Sequence, residues 1–408
     1  MINFLIHFIA LFIRNKTKRR NFRKKWKAYF AQKKSLKMMT TLGNYHHVAE
    51  FASHKIKPKS VLVLEFNDFH GITIPGYINY FIQLGYNVDC LLRFGQNVDW
   101  QPLCRLKCKW KAFVGNEYDF IKVLNSDKIK QYDFVFVNTT FYYGDLAPYP
   151  KGQSVFKLVG KVPAGKYGTL MIEHNYEPYV KKYHEEKYIK QGNLFTLLGF
   201  RNTKMLSSSY LGEVKITPKN TDVVKFLSIG TIHPNNKNYN MLFDACENLL
   251  KDGVKNFEIQ VIGCGNINDI PSSLRPYFKL LGALTYKDMF DKIEQGDYLL
   301  NLFDPKNKEH HKYLDNWATG SSILFFAFAK LPLMHEFFAK SYFLDNGNAV
   351  VYTDLAEGMR LAIQMKSKEY QRRQSALLKL TEELQTKSLK NLCKQIERMK
   401  NDEKKYFF

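Results

Sequence analysis

Several short stretches carry side chains able to do chemistry, and each follows an apolar run. In Val224–Leu242, Lys225–Ile229 has strand composition and Gly230 breaks it. A polar turn with Pro234, Asn235 and Asn236 follows, and an amphipathic helix restarts near Asn240. Such a strand–loop–helix opens a βαβ fold, and open α/β sheets bind ligands at the carboxyl ends of their strands. Gly230 permits close backbone approach and Lys237 puts a cation at the mouth of the turn. The stretch suits a diphosphate, and equally an ordinary βα turn with a solvated lysine. Glu173-His174-Asn175 ends the strand expected at Thr169–Ile172. An imidazole that titrates near neutrality can orient or deprotonate a hydroxyl; the plainer alternative is a strand-end histidine with a local hydrogen bond. Thr319-Gly320-Ser321-Ser322 opens the apolar helix expected at Ile323–Lys330. Backbone N–H groups and hydroxyls at a helix start make an anion site, or a simple N-cap. Lys237 in the same half of the chain favours the anion site.

The elements that must position these residues alternate. Val61–Phe66 is a buried strand, and the loop Asn67–Gly71 after it contains His70 and Gly71. A helix over Gly76–Leu84 and a strand over Val88–Leu92 complete a βαβ unit. No GxGxxG occurs in its first loop, which disfavours a nicotinamide-binding enzyme. Further strands are expected at Phe134–Asn138, Thr169–Ile172 and Leu194–Leu198, with a helix over 176–190. Pro218–Asp222 is polar and reads as a linker. Beyond it come a helix over Asn240–Leu250, strands at Phe257–Ile262 and Lys279–Leu281, a helix over Tyr286–Glu294, a strand at Tyr298–Phe303, and a short strand at Leu333-Met334 after Pro332. Asp354–Met365 is expected to be helical. Residues 366–404 form a long charged helical region whose alternating signs predict a mainly solvated face.

The 408 residues exceed one ordinary core and fit two domains. The formal net charge is +23, and residues 1–40 hold twelve Lys or Arg and no acid. In that segment Phe22, Trp26, Tyr29 and Phe30 fall on one helical face. An aromatic stripe flanked by cations fits a helix lying on an anionic membrane surface. Met1–Ile13 is apolar but short for a bilayer span, and its basic residues follow the apolar run, unlike a signal peptide. Basic and aromatic residues also suit single-stranded nucleic acid, but no RNA-binding motif follows. The six scattered cysteines fit a reduced cytoplasmic protein.

Two α/β halves with a linker near residue 220 resemble the GT-B class of glycosyltransferases. The second half resembles family 4 nucleotide-sugar enzymes through FLSIGTIHPNNKN (226–238), IQVIGCG (259–265), LLGALTYKDMFDKI (280–293), DYLLNLF (297–303) and AKLPL (329–333). The first half matches through EFNDFHG (65–71) and IEHN (172–175). Of the Arg and Lys that follow the loop glycine in family 4, only Lys237 has a counterpart, and the family's Glu-x7-Glu pair is absent, falling near Trp317 and Phe325.

The resemblance implies an α/β chain of two Rossmann-like domains with a basic N-terminal helix and a helical C-terminal tail. The corresponding divisions are 1–57, 58–217, 222–365 and 366–408. It implies a glycosyltransferase of bacterial capsule or lipopolysaccharide synthesis that uses a nucleotide-diphosphate donor, with a UDP-sugar favoured, and a surface glycan or lipid-linked acceptor. Gly230, Lys237, Thr319, Gly320, Ser321 and Ser322 would hold the diphosphate, and Gly282, Leu284 and Tyr286 would line the base pocket. His174 and Glu173 would do the chemistry at the acceptor, and the His70-Gly71 loop would close over the donor. No Asp-x-Asp occurs in the chain, which fits a metal-independent site and no resident cofactor. Residues 1–40 would hold the enzyme peripherally at the inner face of the cytoplasmic membrane, with no nucleic acid as partner. The alternatives are a non-catalytic GT-B membrane scaffold and a nucleotide-sugar epimerase or hydrolase. Inverting and retaining outcomes are both open.

Overall fold

The computed structural model describes residues 13, 19, 44–67, 70–93, 101–142, 153–176, 191–232 and 237–404. Expectations for the basic arm other than Ile13 and Arg19, for the helix over 176–190 beyond Tyr176 and for the Pro234–Asn236 turn lie outside those residues. The chain divides into two compact units. One comprises residues 1–71, 81–98 and 108–170; the other comprises 72–80, 99–107 and 171–408.

The first half contributes β1 (Tyr45–His47), β2 (Ser60–Glu65), α1 (Ile74–Gln83), β3 (Asn87–Arg93), β4 (Trp110–Gly115), α2 (Glu117–Asn125), β5 (Phe134–Val137), β6 (Phe141–Tyr142), β7 (Gln153–Ser154) and α3 (Val155–Val159). In the first unit the strands run parallel in the order β1-β4-β3-β2-β5. Every residue of β2 and β5 is buried, as parallel strands covered on both faces require. Their register pairs Leu64 with Val137, so the carboxyl ends of β2 and β5 lie side by side. The winding reverses between these two strands.

The second unit holds β8 (Thr169–Glu173) from Met171 onward, with β9 (Leu194–Thr196) and β10 (Lys204–Met205) parallel to it. It also holds β11 (Val224–Ile229), α4 (Tyr239–Lys251), β12 (Phe257–Ile262), β13 (Phe278–Gly282), α5 (Tyr286–Gln295), β14 (Tyr298–Asn301), α6 (Lys312–Asp315) and α7 (Gly320–Phe328). These are followed by β15 (Leu331–His335), α8 (Glu336–Ala339), β16 (Val350–Tyr352), α9 (Leu355–Gln364) and α10 (Ser367–Lys404). Six of the strands form a parallel sheet in the order β13-β12-β11-β14-β15-β16. This is the doubly wound order, and its switch point lies between β11 and β14.

Local sequence explains the elements. In α4, Leu242, Phe243, Ala245, Cys246 and Leu249 are buried at helical spacing, and the Asn238 side chain caps the Met241 N–H. Eight of the nine residues of α7 are buried, in keeping with a helix apolar on every side. The helix ends at Phe328, short of the expected Lys330. Ala329 takes a left-handed φ of 47°, and Lys330 turns inward. Its Nζ donates to Thr217 Oγ1, Glu294 O and Gly296 O at 2.6, 3.0 and 2.6 Å. Pro332 belongs to β15, opposite Leu299. The C-terminal region is one helix, α10, and it is more than a solvated face. Tyr370, Leu377, Leu384, Leu392 and Ile396 are buried along it, together with Gln374, Thr381, Ser388 and Gln395. Among the described residues, no helix is long and apolar enough to cross a membrane.

Candidate functional site

The switch point of the six-stranded sheet gathers most of the residues singled out in the second half. Lys237 follows β11 and is buried, with 7% of its surface exposed. Its ammonium donates to the Ile229 carbonyl at 2.6 Å and to Ser228 Oγ at 3.3 Å. An ammonium has three N–H donors, and these two contacts account for two of them. Among the described residues Lys237 makes no ion pair, and burial alone pushes its pKa down to about 8. The next residue ties this loop to β14. The Asn238 N–H donates to Leu302 O, and its Nδ2 donates to Asp304 Oδ2 at 2.9 Å.

Gly230, Gly263 and Gly282 end β11, β12 and β13 with φ of 118°, 149° and 73°. The Gly230 N–H donates to Ile262 O, and the Gly263 N–H to Gly282 O. A Cβ on Gly263 would collide with the Gly230 carbonyl, whereas one on Gly230 or Gly282 meets nothing. The three backbones thus form a narrow, side-chain-free floor. Beyond it Leu284 and Tyr286 are half-buried at the start of α5, where Thr285 caps the Asp288 N–H.

On the β14 side, Thr319 caps α7. Its hydroxyl faces Ser321 N and Ser321 Oγ, the latter at 3.0 Å. Ser321 Oγ donates to Asn301 Oδ1 at 2.7 Å, and Ser322 Oγ donates to Thr319 O at 2.6 Å. These hydroxyls therefore order the helix start, and Gly320 leaves open space beside it. Glu173-His174-Asn175 reaches the same region. Asn175 forms an antiparallel bridge with Trp317, and the Tyr176 N–H donates to Asn316 O. Glu173 Oε1 accepts the His174 and Asn175 N–H groups, and all three side chains are buried. Bonds from Lys237 through Asn238 to the end of β14, from Asn301 to Ser321, and from Trp317 to Asn175 bring the two predicted sets together.

His70 and Gly71 belong to the other switch point, in the first unit. There Glu65, the last residue of β2, is fully buried. It accepts Asn67 N at 2.7 Å, Asn67 Nδ2 at 3.1 Å, Asn138 Nδ2 at 2.5 Å and Thr139 Oγ1 at 2.7 Å. Burial raises its pKa to about 7 against the opposing pull of these hydrogen bonds. His70 Nδ1 lies 3.0 Å from Thr139 Oγ1, and His70 has a left-handed φ of 64°. Glu65, Asn138 and Thr139 were not among the residues singled out. Glu65 stood at the head of the EFNDFHG stretch, but its partners lie across the β2–β5 pair and have no motif of their own.

A scan of protein-family models and a search of curated proteins give no match. Solved structures do match. A glycosyltransferase from Rickettsia africae ESF-5 superposes with a TM-score of 0.51 at 14% identity, over 85% of this chain and 100% of that one. AviGT4, a glycosyltransferase involved in avilamycin A biosynthesis, gives 0.47 at 12% over 84% and 98%. Anabaena HepE, solved in complex with UDP, gives 0.46 at 10% over 83% and 99%. The first likeness and the two doubly wound sheets agree on the fold: two Rossmann-like domains of GT-B type with a helical C-terminal tail.

Proposed function

We propose that the protein is a glycosyltransferase that moves a sugar from a nucleotide diphosphate to a hydroxyl of a surface glycan or lipid-linked acceptor. Lys237 carries this reading: a buried ammonium with no ion pair among the described residues, at the switch point of a doubly wound sheet. Burying a cation without an anion is costly, and a diphosphate supplies the anion. In this reading Lys237 and the α7 start, Thr319–Ser322, neutralise the leaving diphosphate without a metal. Gly230 and Gly282 let the donor approach, and Leu284 and Tyr286 flank the base, UDP in the favoured case. Glu173 fixes the turn on which His174 orients the transferring sugar. The family 4 resemblance and the basic arm support a cytoplasmic enzyme of capsule or lipopolysaccharide assembly, held on anionic lipid by residues 1–40.

A thermal-shift series on the full chain with UDP, GDP, CMP and ADP tests the reading. A ligand that binds only the folded state at a hundred times its Kd adds about 2.7 kcal/mol. One nucleotide diphosphate is expected to raise the melting temperature, and Lys237→Ala to abolish that rise while staying folded. A melt unmoved by all four overturns the reading. It would favour a non-catalytic scaffold, for which the missing Glu pair speaks: fully buried Phe325 stands near the second position.

A further inference from the structure

The second half of α10 presents a row of cations. Lys387, Lys390, Lys394 and Arg398 follow one another at intervals of three, four and four residues, which is one face of a helix. All four are exposed, and the row is about 16 Å long at about 1.5 Å per residue. The far side of the same turns is anchored, because Leu384, Ser388, Leu392, Gln395 and Ile396 are buried. The row is therefore held in one place on the second unit. Lys204, on β10, joins its flank and donates to Gln395 Oε1 at 2.9 Å. Burial, and after it the charges of Arg398 and Lys394, lower the Lys204 pKa. Other exposed helical cations find acids: Lys287 meets Asp291, Arg360 meets Asp252 and Arg372 meets Glu369. Among the described residues Lys387, Lys390 and Lys394 make no ion pair, and Arg398 reaches Asp402 only at 3.8 Å in the open. Lys390, Lys394 and Arg398 stand four residues apart, a spacing at which like charges repel and destabilise a helix. Among the described residues nothing offsets that repulsion; an anionic surface would.

We propose that this row is a docking surface for the anionic headgroups of a phospholipid bilayer, with the second half of α10 lying along the membrane plane. Cations on one helix face meet a plane of negative charge along the whole length of the row. No aromatic residue occurs from Gln371 to Lys404, so single-stranded nucleic acid finds no ring here on which to stack its bases. Every exposed residue from Thr386 to Asp402 is polar or charged, so the contact is with headgroups and not with acyl chains. The surface is separate in sequence from residues 1–40 and independent of the transferase reading.

Partition of the full chain onto vesicles tests this. Vesicles of phosphatidylcholine alone are compared with vesicles holding about one-third phosphatidylglycerol, at about 0.1 M salt, where exposed charges act over about 10 Å. The wild type is expected to bind only the anionic vesicles. Lys387→Gln, Lys390→Gln, Lys394→Gln and Arg398→Gln, combined in one chain, remove the charge and keep helix propensity. This row variant is expected to lose at least about tenfold in partition coefficient, since each cation near such a surface is worth about fivefold. Should it fail to fold, the pair Lys390→Gln and Lys394→Gln replaces it, with an expected loss of at least about fivefold. A control chain loses equal charge at other exposed positions of the second unit, through Lys251→Gln, Lys255→Gln, Lys366→Gln and Lys368→Gln, and is expected to lose less than about threefold. Arginine at 387, 390 and 394 is expected to keep full binding. The proposal is overturned if the row variant binds anionic vesicles as tightly as the wild type, if the row and control variants lose equally, or if the wild type binds neutral vesicles as well as anionic ones. A row variant that keeps its vesicle affinity but loses binding of a single-stranded oligonucleotide overturns it in favour of nucleic acid.

Discussion

Lys237 and Lys330 are both buried, and burial lowers both to about 8, yet their surroundings assign them different work. Lys330 places all three donors on Thr217, Glu294 and Gly296 and so locks a turn. Among the described residues Lys237 has a donor to spare. Lys330→Met is expected to destabilise the chain by about 2–4 kcal/mol, as breaking a buried polar network does, and to leave nucleotide affinity unchanged in the molecules that remain folded. The pH dependence of Lys237 has opposite signs in two assays. Its folded pKa near 8 lies below the ordinary 10.5. Burying the charge therefore costs stability below pH 8, and that cost fades as pH rises from 8 toward 10.5. Diphosphate binding needs the ammonium, so affinity is expected to fall above pH 8 by up to about tenfold per unit. Calorimetric titration between about pH 7 and 9.5 checks this, with Lys237→Arg expected to flatten the curve. Glu65 moves the other way from Lys237 in stability. Its carboxyl is raised from 4.5 to about 7, so the folded state holds the extra proton in that window. Its contribution is full below pH 4.5 and is lost as pH rises through 7, on the order of 3 kcal/mol. Glu65→Gln is expected to remove that slope in urea melts at stepped pH.

At the scale of elements, the sequence was most legible where burial is two-sided. FVFV is a continuous apolar run, SVLVLE is apolar between its ends and FEIQVI is apolar apart from Glu258 and Gln260; all became parallel strands within a residue or two of their expected bounds. Edge and mixed strands were harder. β1 is three residues long, and β4 continues a charged–apolar alternation that begins at Arg105, five residues before the strand itself. β1 is legible only in three dimensions, where Tyr45 meets Trp110 edge-on at 5.2 Å. The glycine floor was half legible. Gly230 and Gly282 stood at strand ends, but the role of Gly263 comes from its neighbour. Gly263→Ala adds a Cβ against the Gly230 carbonyl at a φ of 149°, and is expected to cost about 2–3 kcal/mol in urea unfolding; Gly253→Ala, at an open turn, serves as the comparison and bears the backbone term alone. The Glu65 cluster was the least legible, because Glu65 and Thr139 are 74 residues apart and meet only through strand register.

At the scale of the molecule, α10 is the longest tie within the second unit. Near its start Gln374 donates to Thr217 O and Ala329 O. Further along, Ser388 Oγ accepts the Ser207 N–H at 2.8 Å, Asn391 donates to Met205 O at 2.9 Å and Gln395 to Gln191 O at 3.1 Å. Removing residues 383–408 strips the bonds of Ser388, Asn391 and Gln395 together with buried Leu384, Leu392 and Ile396. The melting temperature is expected to drop by at least about 5 °C, since each kcal/mol is worth roughly 2–4 °C at this size; an unchanged melt would show that the helix only decorates the fold. The same tie sets a timetable. Met205 leaves the ribosome 186 residues ahead of its partner Asn391, and at about 5–20 residues per second that is a wait of roughly 10–40 s. Through that interval the β9–β10 edge has neither its polar partners nor its apolar cover. The second unit thus completes its packing only once the Asn391 turn of α10 has emerged, and the nascent chain is most open to misassembly just before that.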